Sequence, residues 1–154
     1  MSNQVIQYLA NNPEYFTGVI FLFGLMFGSF FNVLIYRVPV MMQLEWLENC
    51  RDFIKEMFGK LPKELEAHPE SLPKPPFNIA KPDSTCPHCG HKIRWYENVP
   101  LASYVALKGK CSSCKNTISL RYPIIELVTA LLSGFAAWKF GFGWETAAAL
   151  AFTW

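Results

Sequence analysis

Between Tyr15 and Tyr36 the chain runs for 22 residues without a charged side chain. At ~1.5 Å per residue, a helix of that length crosses the ~30 Å hydrocarbon core of a bilayer. Glu14 and Arg37 bracket the run. A signal peptide would open on positive charge and close on a small-residue cleavage site. Residues 1–14 hold no Lys or Arg, and the run ends in bulky residues. A transmembrane helix over 15–36 is therefore expected.

The charges lie elsewhere. Thirteen of the fourteen Lys and Arg fall between Arg37 and Arg121, with nine of the twelve acids and all three His. An excess of four positive charges suits a loop beside an anionic membrane surface. It is too weak for a nucleic-acid binder, which needs a dense basic face. No positive residue precedes the first apolar run, and Arg37 follows it at once. The positive-inside rule then places residues 1–14 outside and the middle region in the cytoplasm.

A second apolar segment covers 122–140, with Glu126 near its start. An acid at membrane depth is costly. A solvated place at the interface is the favoured reading of Glu126, and an internal polar contact the other. Trp138, Phe140, Phe142 and Trp144, with their intervening glycines, read as an interfacial belt and a turn. A third apolar run, 146–154, is too short to cross a bilayer. It is expected to open a further membrane helix, which makes the chain a fragment of a longer protein. Within the first span, Gly24 and Gly28 form a GxxxG. That spacing permits close approach of another helix, though glycine is also simply common in membrane helices.

In the middle region, Leu44, Leu47, Cys50, Ile54, Met57 or Phe58, and Leu61 recur at helical spacing and predict an amphipathic helix over 41–61. Cys50 falls on its apolar side, where a small buried hydrophobe is the default role. Residues 62–82 hold six prolines and read as an extended linker. Then come Cys86-Pro-His-Cys89 and Cys111-Ser-Ser-Cys114. Two C-x2-C turns complete a tetrahedral S4 shell, with zinc the expected ion and iron equally admitted by geometry. A fifth, unpaired cysteine and a reducing compartment argue against disulfides. Four sulfurs fill the shell, so the metal is expected to be structural, and His88 and His91 to face solvent. The fold class is mainly α: a polytopic membrane fragment with a cytoplasmic amphipathic helix and a small zinc-ribbon-like four-cysteine module over 83–121.

Three stretches resemble the N-terminal half of the bacterial type IV prepilin peptidases, bifunctional leader peptidases and N-methyltransferases. They are Gly28-Ser-Phe-Phe-Asn-Val-Leu-Ile-Tyr-Arg-Val-Pro39; Cys86-Pro-His-Cys-Gly90 with Glu97-Asn-Val-Pro100 and Ser103; and Gly109-Lys-Cys-Ser-Ser-Cys114 with Ile118-Ser-Leu-Arg-Tyr-Pro-Ile-Ile-Glu-Leu127. Phe31 and Val99 stand where the family usually has Leu and Ile. The resemblance implies a multi-pass enzyme of the bacterial inner membrane, with a periplasmic N-terminus and the loop 37–121 in the cytoplasm. It implies cleavage of leaders from type IV prepilins or type II secretion pseudopilins, then methylation of the new N-terminus from S-adenosylmethionine. It ties the cysteine loop, and Gly109 with Lys110, to methyl transfer; ordinary turn chemistry is the other reading of that pair. The family's two peptidase aspartates, one in Gly-x-Gly-Asp, have no match here: the chain holds only Asp52 and Asp83. The first is expected soon after Trp154. The competing reading is a non-catalytic, membrane-tethered zinc module that binds a partner or assists assembly.

Overall fold

The computed structural model describes residues 2–63, 72–73 and 76–154. Its elements are helical: α1 (Ser2–Asn11), α2 (Pro13–Phe58), a 3₁₀ turn (Trp95–Asn98), α3 (Ala102–Ala106), α4 (Arg121–Phe140) and α5 (Trp144–Thr153). Among the described residues there is no strand beyond two isolated antiparallel bridges. Helix α1 arises where no element was expected.

Helix α2 has 46 residues. At ~1.5 Å per residue it is roughly 70 Å long, more than twice the hydrocarbon thickness. The segments 15–36 and 41–58 are thus parts of one continuous helix. Pro39 lies inside it and removes one ladder bond, since proline has no N–H. The helix stops at Gly59, whose φ of 69° suits the left-handed residue that closes a helix, with its N–H bonded to Lys55 O at 2.8 Å. Of the expected linker 62–82, residues 64–71 and 74–75 lie outside the described residues.

The chain divides into two compact units, one of 1–32 and 85–154, the other of 33–84. In the first, α2 and α4 meet along their small side chains. A Cβ on Gly24 would lie 2.7 Å from Ala130 Cα, and one on Gly28 would lie 2.6 Å from Glu126 Cα. The GxxxG pair therefore marks a real close approach. On α4 the buried residues are Pro123, Glu126, Thr129, Ala130, Ser133, Gly134, Ala136 and Ala137. They recur every three or four residues, so they share one face. Ile124, Leu127, Val128, Leu131, Leu132 and Phe135 are exposed. Small and polar groups inside with large apolar groups outside invert the pattern of a soluble helix, and fit a helix solvated by lipid. Both α2 and α4 are long and apolar enough to cross a membrane.

The two hydroxyls of this face are satisfied locally, whereas Asn32 Oδ1 opposite it is buried without a partner among the described residues. The hydroxyls of Thr129 and Ser133 donate to Ile125 O and Thr129 O, one turn back. Asn32 Nδ2 donates to Gly28 O at 3.2 Å and to Tyr122 O at 3.1 Å, joining α2 to α4. The Trp154 ring stacks on Phe27 at 3.9 Å between centroids, and its Nε1 donates to Ser133 Oγ.

In the second unit, Arg37 is buried, 7% exposed. Its guanidinium donates to Asn78 O at 2.7 Å and Pro82 O at 2.6 Å, and lies 5.5 Å from the Phe77 ring centroid. The Asn78 side chain accepts from the Ala80 and Lys81 amides, an Asx turn. Cys50 is exposed, not buried on an apolar face. Leu44, Leu47 and Ile54 are half-buried, while Trp46, Phe53 and Met57 are exposed.

Candidate metal centre

The two Cys-x2-Cys segments fold into matching turns. In the first, Cys86 N–H donates to His91 O, Gly90 N–H donates to Cys86 O, and Thr85 pairs with Lys92. In the second, Cys111 N–H donates to Asn116 O, Lys115 N–H donates to Cys111 O, and Lys110 pairs with Thr117. The residue after the second cysteine is left-handed in both, Gly90 at φ 70° and Lys115 at φ 60°. Glycine takes that conformation freely; lysine takes it at a cost of roughly 1–2 kcal/mol.

These turns aim backbone N–H groups at sulfur. The His88 and Cys89 amides lower the Cys86 thiol to about 7. The Cys114 and Ser113 amides lower Cys111. Cys114 behaves otherwise: the Asn116 amide favours its thiolate, but burial and the sulfurs of Cys89, Cys111 and Cys86 push it up to about 11. Four thiolates crowded together repel one another unless a cation sits among them, and a thiol bound to a divalent ion gives up its proton.

The four Sγ atoms lie within 4.8 Å of one another, and Cys86 Sγ is 3.8 Å from Cys114 Sγ. A tetrahedron of sulfurs at Zn–S ~2.3 Å has edges of ~3.8 Å. All four cysteines are free thiols, so none is consumed in a disulfide. Cys86 and Cys111 are buried; Cys89 and Cys114 are on the open side. The donor set and spacing fit one thiophilic ion with a full shell.

A second network braces the turns. Glu97, in the 3₁₀ turn, accepts from Arg94 N–H at 2.9 Å and lies 3.2 Å from His91 Nε2. Ser112 Oγ is 3.2 Å from the same Nε2. The Arg94 amide, the Ser112 hydroxyl and His91 hold the Glu97 carboxyl down at about 2. His91 thus joins the first turn to the second, while His88 alone matches the solvent-facing expectation. Serine and carboxylate both meet the same imidazole nitrogen, so this is not a nucleophile relay, which needs one partner on each ring nitrogen. Beside it is an open cleft of about 360 Å³ lined by His91, Arg94, Tyr96, Glu97, Ser112 and Ser113. Arg94 donates to Tyr96 Oη, so the cleft's main polar groups are partnered with one another.

Gly109 and Lys110 precede the third cysteine. Gly109 is buried at φ 67°, with its N–H bonded to Tyr104 O at 2.9 Å. A Cβ there would lie 2.8 Å from Tyr104 Oη. Its backbone and the ring of Tyr104 both demand glycine. The Lys110 side chain is exposed. Asp52 and Asp83 are exposed and belong to the unit 33–84, not to the unit that holds the cysteines.

Sequence reasoning missed two groups. The Glu97–His91–Ser112 brace joins residues 6 and 21 apart in sequence, and no spacing rule finds it; the one signal is Glu97 within the Glu97-Asn-Val-Pro100 stretch. Glu126 is 8% exposed and its Oε2 accepts from Leu101 N–H at 2.8 Å. The solvated reading gives way to an internal contact: the carboxyl is buried and a loop amide is its partner.

Fold and site together define a helical protein with two helices long and apolar enough to span a membrane and, between them in sequence, a four-cysteine cluster that could hold a metal ion. Residues 22–140 match the bacterial peptidase A24 N-terminal domain, and the chain belongs to that family. It is 47% identical over 149 residues to a prepilin leader peptidase/N-methyltransferase of Stutzerimonas stutzeri, covering 97% of this chain and 47% of the relative. The enzyme of that name from Pseudomonas aeruginosa is 47% identical over 150 residues, covering 97% and 48%. That of Neisseria gonorrhoeae is 45% identical over 130 residues, covering 84% and 42%. The chain thus spans about half the length of the curated relatives it matches. No solved structure matches it.

Proposed function

We propose that this chain is the N-terminal part of an inner-membrane prepilin leader peptidase and N-methyltransferase, and that it supplies the metal-bound loop used in methyl transfer. The observation that carries this is the assembled four-cysteine cluster inside a chain 47% identical to such enzymes over 97% of its length. Cys86, Cys89, Cys111 and Cys114 would hold zinc, whose role with a full sulfur shell is to cross-link the loop. S-adenosylmethionine, implied by the methyltransferase name, is the methyl source. Prepilins or pseudopilins are the substrates. In this reading α2 and α4 cross the bilayer, residues 1–14 are periplasmic, and the segment between the spans is cytoplasmic.

Peptidase chemistry needs one carboxyl to activate water and another to protonate the leaving amine. Asp52 and Asp83 are exposed, and no Gly-x-Gly-Asp occurs within these 154 residues. Cleavage is therefore assigned to parts of the longer protein. Gly109 keeps the turn's shape, and exposed Lys110 is the side chain available to a substrate.

The test is an inner-membrane vesicle assay that reads leader cleavage and N-methylation of the same prepilin. The full-length protein is expected to do both. Cys111→Ser with Cys114→Ser is expected to abolish methylation and leave cleavage. This chain alone is expected to yield no cleaved product; any site-specific product overturns the assignment. A full-length protein that neither cleaves nor methylates would favour a non-catalytic tethered module.

A further inference from the structure

One buried carboxyl ties the helix pair to the cysteine module. Glu126 stands near the start of α4, on its small-residue face, 8% exposed. A carboxyl so buried on an apolar helix is destabilising unless it is hydrogen-bonded. Its partner lies on no membrane helix. It is the N–H of Leu101, 2.8 Å from Oε2, in the loop just before α3.

Leu101 is itself strained. It adopts φ 54° and ψ −45°, where a side chain other than glycine is disfavoured. Such a conformation persists only where its surroundings over-determine it, and the Glu126 bond is one such constraint. The backbone on the far side of Glu126 is equally fixed. Gly28 packs against Glu126 Cα and O and against Ile125 O. One turn earlier, Tyr122 O accepts from Asn32 Nδ2.

Beyond Leu101 the contacts run straight to the metal site. Val105 N–H donates to Leu101 O and Gly109 N–H to Tyr104 O. The Tyr104 ring closes over Gly109, and Ile118 N–H donates to Gly109 O. Lys110 and Cys111 follow directly.

We propose that Glu126 is a positioning residue for methyl transfer. Its carboxyl clamps the loop at Leu101 onto α4, and so holds Gly109, Lys110 and the cysteine turns in register with the membrane helices. The proposal rests on the N-methyltransferase reading. Methyl transfer to a terminus that emerges from the bilayer needs the module at a fixed height, since misplacement of about 1 Å can slow a reaction a hundredfold. Cleavage, assigned to other parts of the protein, does not need that register.

The test uses the full-length protein in lipid nanodiscs, with amide hydrogen exchange over residues 99–106, zinc content, leader cleavage and methylation read side by side. Glu126→Leu fills the space but removes the acceptor. It is expected to raise exchange over 99–106 by up to about tenfold, the loss of one buried hydrogen bond. Methylation should slow about tenfold as well, with zinc retained and cleavage within about twofold. Glu126→Gln keeps a carbonyl acceptor, and should restore protection and methylation to within about twofold of wild type. Unchanged exchange in Glu126→Leu overturns the clamp. An equal fall of cleavage and methylation overturns the positioning role, because it would mean that the helix pair itself had failed. Failure of the wild-type protein to methylate would overturn the methyltransferase reading instead, and the exchange result separates that case from failure of the clamp.

Discussion

The approach of α2 to α4 makes Gly28→Ala a sharp test of the packing. The new methyl would sit 2.6 Å from Glu126 Cα and 3.2 Å from two main-chain oxygens. Carbon pairs are at rest near ~3.5–4.0 Å, so the helices must part by roughly 1 Å. The obstacle is backbone, and no side-chain rotation relieves it. Overpacking of this kind costs about 1–3 kcal/mol. Replacing glycine by alanine inside a helix recovers about 0.5–1 kcal/mol. The net expectation is a loss of up to about 2.5 kcal/mol against wild type, and of about 1–3 kcal/mol against a Gly→Ala change that meets no neighbour. Gly18 is the internal control: a Cβ there meets nothing within 4 Å, so Gly18→Ala should keep the helix gain and lose nothing. The assay is reversible unfolding of the chain in mixed micelles, followed by far-UV circular dichroism over a titration with sodium dodecyl sulfate. Gly28→Ala should unfold at lower detergent fraction than wild type, and Gly18→Ala at equal or higher. If Gly28→Ala matches or exceeds Gly18→Ala, the close approach of the two helices is wrong.

Four further outcomes are expected. The purified chain should carry about one zinc, absent from the Cys111→Ser/Cys114→Ser variant, by elemental analysis. With metal bound, maleimide should label the exposed Cys50 and spare the four clustered thiols; a chelator should open all of them. Gly109→Ala should lower stability by about 1–3 kcal/mol, through its left-handed backbone and the Tyr104 hydroxyl, seen as faster proteolysis between the cysteine pairs. Arg37→Lys should free residues 76–82 to protease, because a single ammonium on a flexible stem lacks the fixed fork that reaches both carbonyls; protection equal to wild type would refute the bidentate grip.

Much of this was legible in sequence because its physics is local. An uncharged run of 22 residues and a C-x2-C spacing each state their own requirement. The GxxxG was legible as a possibility, and only the Ala130 and Glu126 backbones opposite it decide the matter. Hydropathy marked where the apolar run ends, near Tyr36, but not where the helix ends, at Phe58. Polar side chains after Arg37 favour helix as well as the apolar ones before it do, and Pro39 removes a single bond. Helix α1 escaped notice because it is short and uncharged. Periodicity puts Cys50 on the apolar side; Leu44, Leu47 and Ile54 of that stripe are half-buried, but Cys50 and Met57 are exposed, so burial follows the stripe only in part. The fate of Glu126 depended on a loop amide 25 residues away, which no periodicity reveals.

Arg37 grips the carbonyls of Asn78 and Pro82, Asn32 the carbonyl of Tyr122, and Glu126 the amide of Leu101. In each, one partner is main chain, which every residue carries with proline's missing N–H as the exception. A mutational scan should therefore be one-sided: Arg37, Asn32 and Glu126 intolerant, the side chains of Tyr122, Pro82 and Leu101 far more replaceable as far as these bonds go. Across diverged relatives such contacts leave fixed positions without co-varying partners. Contact inference from paired substitutions would be blind to the ties that hold this chain's distant segments together.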